Sequence, residues 1–216
     1  EGEAPLIGGE GNDIIDGGPG ANQLYGDNGN DTIRSSGTND LVSAGEGNNH
    51  ITIKNTANGG TFTSSFGDDT YIFESGARGS FSIESGAGSD TFFIDSGISE
   101  NISINAGEGN NVLEALVDIE QFISGNGNDT LSMEGTSGTA TISTGAGDDV
   151  VTANGYIGWG GSYSNGTLWT GEGDDVITLR GGIGGGRDNG AIRAGEGNDK
   201  IILSGAVSYT HLTLPT

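Results

Sequence analysis

Cysteine is absent from the 216-residue chain, so there is no disulfide framework and no thiolate zinc site. Proline occurs three times and glycine does not recur at every third residue, which excludes collagen. Only seven basic residues stand against 30 acidic ones, and a formal net charge of −23 argues against nucleic acid as a partner. Long apolar runs are missing too: polar groups or glycine break every 18-residue stretch, so no transmembrane helix is expected. Leu, Ile, Val and Phe total 46, about a fifth of the chain, near the composition below which a chain cannot fold unaided. What remains is a disordered acidic chain, or one that needs something positive in order to fold.

What is abundant is glycine, with 44 copies, and it falls on a repeat. From residue 8 the chain divides into nonapeptides: GGEGNDIID (8–16), GGPGANQLY (17–25), GDNGNDTIR (26–34), SSGTNDLVS (35–43) and AGEGNNHIT (44–52). Alternate copies then give way to variable sequence, but one unit persists per turn, starting at 64, 85, 106, 124, 144, 170 and 194. Ten units spaced by 18 to 26 residues result, counting 8, 26 and 44 with these. Their fourth residue is always Gly, as in Gly29 and Gly147, and their eighth is always apolar, as in Ile33 and Ile177. The residue two before each unit is apolar as well, from Leu6 and Leu24 through to Ile192.

Short alternating segments such as FSIES and ATIST carry the period of strands. Glycine at the fourth position suits a turn that needs positive φ or close backbone approach. Strand, turn, strand and return within about 20 residues make one coil of a parallel β-solenoid, where stacking buries a thin line of side chains.

Equivalent residues of neighbouring coils then lie about 4.7–4.9 Å apart. The sixth position would stack Asp13, Asp31, Asp69, Asp90, Asp129, Asp149, Asp175 and Asp199, interrupted by Asn49 and Asn111. Each adjacent Asp pair repels by roughly 3 kcal/mol at an effective dielectric near 20, against a usual net stability of about 5–15 kcal/mol. Asp68, Asp148 and Asp174 at the fifth position add to the charge. A divalent cation between successive turns resolves the repulsion, and carboxylate and carbonyl oxygens favour Ca²⁺ over zinc, copper or the more demanding Mg²⁺. Gly-Asn/Asp turns can also serve simply as turns, with Asn stacking in uncharged ladders.

These units resemble the repeats-in-toxin (RTX, hemolysin-type) nonapeptide G-G-x-G-x-D-x-U-x. The resemblance covers roughly 8–204 and is closest in 8–52, where two repeats fill each coil. It implies an all-β fold, a right-handed parallel β-roll or β-helix solenoid of about ten coils, with multiple Ca²⁺ ions between stacked turns. It also implies a bacterial protein exported unfolded by type I secretion and folded by extracellular Ca²⁺, hence secreted, extracellular or at the cell surface. Carried onto this chain, the ligands are the sixth-position residues with turn carbonyls, the sites at Asn49 and Asn111 being weaker or empty. The second turn column departs from the pattern, with Asn22 in place of Asp and Thr38 in place of Gly, and offers Asp40 as an additional ligand.

Residues 153–169 hold Tyr156, Trp159, Tyr163 and Trp169, including both tryptophans of the chain. They form a candidate platform for an extracellular polysaccharide, as in an adhesin, or a cover over the core beneath. Catalysis has little support: His50 and His211 are the only histidines, and there is no H-E-x-x-H, nucleophile elbow or P-loop. A lyase- or epimerase-like site would have to combine a solenoid Asp with Arg78 or Lys54, and the expectation is no enzyme within this fragment. The expected divisions are a trimmed edge at 1–7, a regular roll at 8–52, a looser solenoid at 53–206 and a tail at 207–216. That tail, VSYTHLTLPT, abandons the repeat and resembles a translated transposase adapter, although it alternates like a strand. The expected assembly is a monomeric fragment of a larger chain.

Overall fold

The alternation of apolar and polar residues produces strands of mostly four to seven residues. A computed structural model describes residues 4–98, 101–157, 166–183, 191–204 and 212–213. Among these there is no helix. The chain divides into two units, Glu1–Gly107 and Glu108–Thr216, and every pairing within each is parallel. Both are β-solenoids, with about nine turns between them against the ten expected.

In the first unit one face stacks Leu6–Glu10, Gln23–Asn28, Thr38–Ser43, Asn58–Thr63, Arg78–Glu84 and Ile102–Gly107. The other face stacks Ile14–Asp16, Thr32–Ser35, His50–Ile53, Thr70–Phe73 and Thr91–Ile94. The registers bring the apolar repeat positions into columns: Leu24, Val42, Phe62, Ile83 and Ile104 on one face, Ile15, Ile33, Ile51, Tyr71 and Phe92 on the other. These residues are buried, and they supply the thin core that the low apolar content allows. Aromatics thicken it in the later coils, where Tyr71 stacks on Phe92 with centroids 5.3 Å apart and Phe73 meets Phe81 edge-on at 5.2 Å.

In the second unit the column is aliphatic: Leu113, Leu131, Val151 and Ile177 are all buried and in register. Two long strands, Val112–Ser124 and Thr130–Ser143, run on through the far edge of their coils, with register shifts between Ala115 and Asp118 and between Ile119 and Gln121. Within the first unit, tight turns closed by Ala57 N–H to the Lys54 carbonyl (2.8 Å) and Ala77 N–H to the Glu74 carbonyl (3.3 Å) stand on that edge instead. Leu212–Thr213 pairs with Ile192–Arg193, so this part of the tail follows the strand alternation of its sequence.

Candidate metal centre

Each repeat turn is built by its fourth and sixth residues. Gly29 has φ +137°, and a Cβ there would overlap the carbonyl oxygen of Gly11 on the neighbouring coil. Gly147 repeats this in the second unit, with φ +138° against the Gly127 carbonyl. Any side chain would therefore push the coils apart.

The sixth residue ties coils together through its side chain. The backbone N–H of Asp13 donates to Asp31 Oδ1 at 2.8 Å, Asp31 N–H to Asn49 Oδ1 at 2.9 Å, Asn49 N–H to Asp69 Oδ1 at 2.7 Å, and Asp69 N–H to Asp90 Oδ1 at 2.8 Å. The second unit repeats the ladder from Asn111 to Asp129 (2.7 Å), Asp149 (2.8 Å), Asp175 (2.9 Å) and Asp199 (3.1 Å). A second ladder runs in the opposite sense at the fifth position, where Asn12 Oδ1 accepts from Asn30 N–H and Asp148 Oδ1 from Asp174 N–H, both at 2.8 Å. The columns expected from the repeat are thus in place, and one side-chain oxygen of Asp31, Asn49, Asp69, Asp90, Asp129, Asp149, Asp175 and Asp199 is committed to the neighbouring backbone.

The other carboxylate oxygen decides the chemistry. Asp31, Asp69 and Asp175 are 1 % exposed and Asp149 is fully buried. The Oδ2 atoms of Asp13, Asp31, Asp69, Asp149, Asp175 and Asp199 are buried without a hydrogen bond. Burial pushes the Asp149 carboxyl up to about 6, opposed by the Thr144 hydroxyl, and pushes Asp90 up to about 6. Asp69, Asp129 and Asp175 are raised by the same desolvation. Buried acceptors of like charge facing the coil interior fit a hard cation with oxygen ligands, and Ca²⁺ is the fitting choice. Among the described residues no three or more His, Asp or Glu side chains cluster, so an ion held here would need turn carbonyls beside the carboxylates.

The remaining sequence candidates sit differently. Asn49 and Asn111 turn their amide inward, donating from Nδ2 to the carbonyls of Gly47 and Gly109 at 3.0 Å. In the second column, Asp40 Oδ1 accepts from the backbone and side chain of Asn22, and its Oδ2 from Ser35 Oγ at 2.7 Å and Gly37 N–H at 3.1 Å. Both oxygens of Asp40 are therefore already occupied. Lys54 pairs with Glu74 at 2.5 Å, His50 is exposed, and Arg78 opens a strand at the surface. Of the aromatic candidates, Tyr156 lies on the short strand Tyr156–Ile157 and Trp169 is 51 % exposed. Trp159 and Tyr163 lie outside the described residues.

Missing from the sequence reading is the first residue of each unit. Ser124 Oγ donates to the inner Asp129 Oδ2 at 2.6 Å, just as Ser35 does to Asp40 at 2.7 Å. The hydroxyls of Ser64, Ser85, Thr144 and Thr170 act on Asp69, Asp90, Asp149 and Asp175 in the same sense, favouring the ionised carboxylate. They also link coils, as Ser85 Oγ to the Ala106 carbonyl (3.0 Å) and Thr170 Oγ1 to the Ala194 carbonyl (2.9 Å) show. A signal was available: every unit with a hydroxyl at the first position has Asp at the sixth, while Gly17, Ala44 and Ala106 accompany Asn22, Asn49 and Asn111.

Stacked parallel coils with acidic, oxygen-lined turns define a repeat solenoid built to manage buried negative charge. The family-model comparison agrees: the chain carries the RTX calcium-binding nonapeptide repeat in four copies, at 5–33, 34–52, 103–131 and 134–155. No curated protein and no solved structure matches it. RTX repeats on a β-solenoid fit a calcium-binding module.

Proposed function

We propose that this chain is the calcium-binding module of a secreted bacterial RTX-type protein, and that extracellular Ca²⁺ folds the coils that hold it. The observation that carries this reading is the column of buried inner carboxylate oxygens, of which Asp13 and Asp31 lie on successive coils. Ca²⁺ supplies the positive charge that the seven basic residues cannot bring to these turns. The chain's own part is to hold the carboxylates rigidly through the Oδ1 ladder and to exclude water by burial.

Each such site needs two stacked coils, so it does not exist in the unfolded chain. Binding energy is therefore folding energy. Scarce cytoplasmic Ca²⁺ keeps these coils open for export, and abundant Ca²⁺ outside closes them. The role is structural, with any catalytic activity residing in another part of the parent protein. Calorimetry of the chelator-stripped protein tests the reading: Ca²⁺ uptake accompanied by a gain in β-sheet circular dichroism is expected. No heat of uptake and an unchanged spectrum would overturn it.

A further inference from the structure

We propose that the second turn column of the first unit is a calcium site already filled from within, the Asn22 amide standing where the ion would bind. The inference rests on the calcium reading above and limits it to one edge of the coils. Asn22 and Asp40 are the sixth residues of the units 17–25 and 35–43, and their side chains meet across successive coils. Three oxygens surround Asn22 Nδ2: the Gly18 carbonyl at 3.1 Å, the Gly20 carbonyl at 3.4 Å and Asp40 Oδ1 at 3.0 Å. An amide nitrogen carries two hydrogens, so it cannot answer three acceptors singly. Two turn carbonyls and a carboxylate converging on one point are instead the ligand set of a hard cation. Asn22 and Asp40 are 6 % and 1 % exposed, so the arrangement is closed to solvent.

Asp40 has no capacity left for a metal. An ionised carboxylate offers about four lone-pair positions. Asp40 Oδ1 accepts from the Asn22 N–H at 2.9 Å and from Asn22 Nδ2, and its Oδ2 accepts from Ser35 Oγ at 2.7 Å and the Gly37 N–H at 3.1 Å. These donors fill it. In the first column, by contrast, Asp13 and Asp31 keep an inner Oδ2 with no hydrogen bond. The departure from the repeat produces this clasp. The unit 35–43 carries glycine at its third position rather than its fourth, and a Cβ on Gly37 would overlap the Gly20 carbonyl oxygen and crowd Asp40 Oδ1. Only glycine therefore lets the chain pass close enough for its N–H to reach Asp40. On later coils the same edge is made by the tight turns that close Lys54 to Ala57 and Glu74 to Ala77, which bury no carboxylate. Calcium in this unit is accordingly confined to the repeat-turn edge.

Ion counting by calorimetry and native mass spectrometry tests this on the full chain, with Ca²⁺ as the only metal. Asn22→Asp removes the blocking nitrogen and sets a second carboxylate among the same oxygens, so it should bind one ion more than the parent. An unchanged count in that variant, with the parent's circular dichroism, would overturn the inference. Asp40→Asn needs no new site to form and should keep the parent's ion count, because Asp40 ligates nothing. Loss of an ion there would overturn the inference equally. A parent chain that binds no Ca²⁺ removes the calcium reading itself and the inference with it, whereas a binding parent with either contrary variant removes only the Asn22 clasp.

Discussion

The turns at 8–13 and 26–31 and the turns at 124–129 and 144–149 share one backbone design. In both regions a fourth-position Gly packs against the carbonyl of its neighbour, and a sixth-position Oδ1 accepts from the adjacent N–H. They differ at the first residue, which is Gly in the early pair and Ser or Thr in the later pair. Turn geometry and charge compensation are consequently separable. The backbone is fixed by Gly and by one oxygen of Asp, while the second oxygen can be answered by a hydroxyl or left for a cation. The opposite edge diverges as well: a second repeat column with Asn22 and Asp40 serves the early coils, and long strands with register shifts serve the later ones.

The strongest way to break this comparison is at the shared element. Gly29→Ala and Gly147→Ala should each destabilise by about 3–5 kcal/mol, because the new Cβ overlaps a backbone carbonyl at positive φ. Urea unfolding measures both, and a large loss at only one site would show that the two regions do not share a design. Calcium removal should then separate the two columns of the early coils. Hydrogen exchange after chelation is expected to rise roughly a hundredfold at the Asp13 and Asp31 amides, the effect of withdrawing a ligand held at about a hundred times its dissociation constant. The Asn22 and Gly37 amides, which donate to Asp40, should lose less protection, and equal deprotection would erase the distinction.

A smaller effect comes from acid. Asp149 has its carboxyl raised to about 6 by burial, so between pH 4 and 6 the folded chain binds more protons than the unfolded one. Stability contributed by that group therefore falls as pH rises through this window and levels off above it. The calcium-free protein should melt at a higher temperature at pH 5 than at pH 7, and Asp149→Asn should flatten part of that slope. Identical melting points at the two pH values would show that the carboxylate is not held in its charged form at a cost. The smallest expected change is Lys54→Met, which removes a half-exposed ion pair with Glu74 and should cost at most about 1 kcal/mol by the same urea measurement.

Much of the fold was legible because a solenoid writes its geometry into a period. Leu24, Val42 and Phe62 recur at coil spacing, and the registers place them opposite one another as the spacing requires. The Asp column was legible for the same reason. Asp40 shows where reading stopped: its residue type marks it as a ligand, yet donors from Asn22, Ser35 and Gly37 converge on it. Such convergence depends on side chains 18 residues away in sequence and adjacent in space. The long strand Thr130–Ser143 was likewise hidden, since its stretch EGTSGT carries no alternating apolar signal of its own.

By itself, the sequence determined the coil repeat, the apolar columns and the stacking of acids, because each follows from residues recurring at the length of one turn. The tertiary structure alone decided which oxygen of each Asp is spent on the backbone and which faces inward, and whether a hydroxyl reaches it. Those outcomes depend on angles and distances of a few ångströms between neighbouring coils, where one Cβ changes the partner.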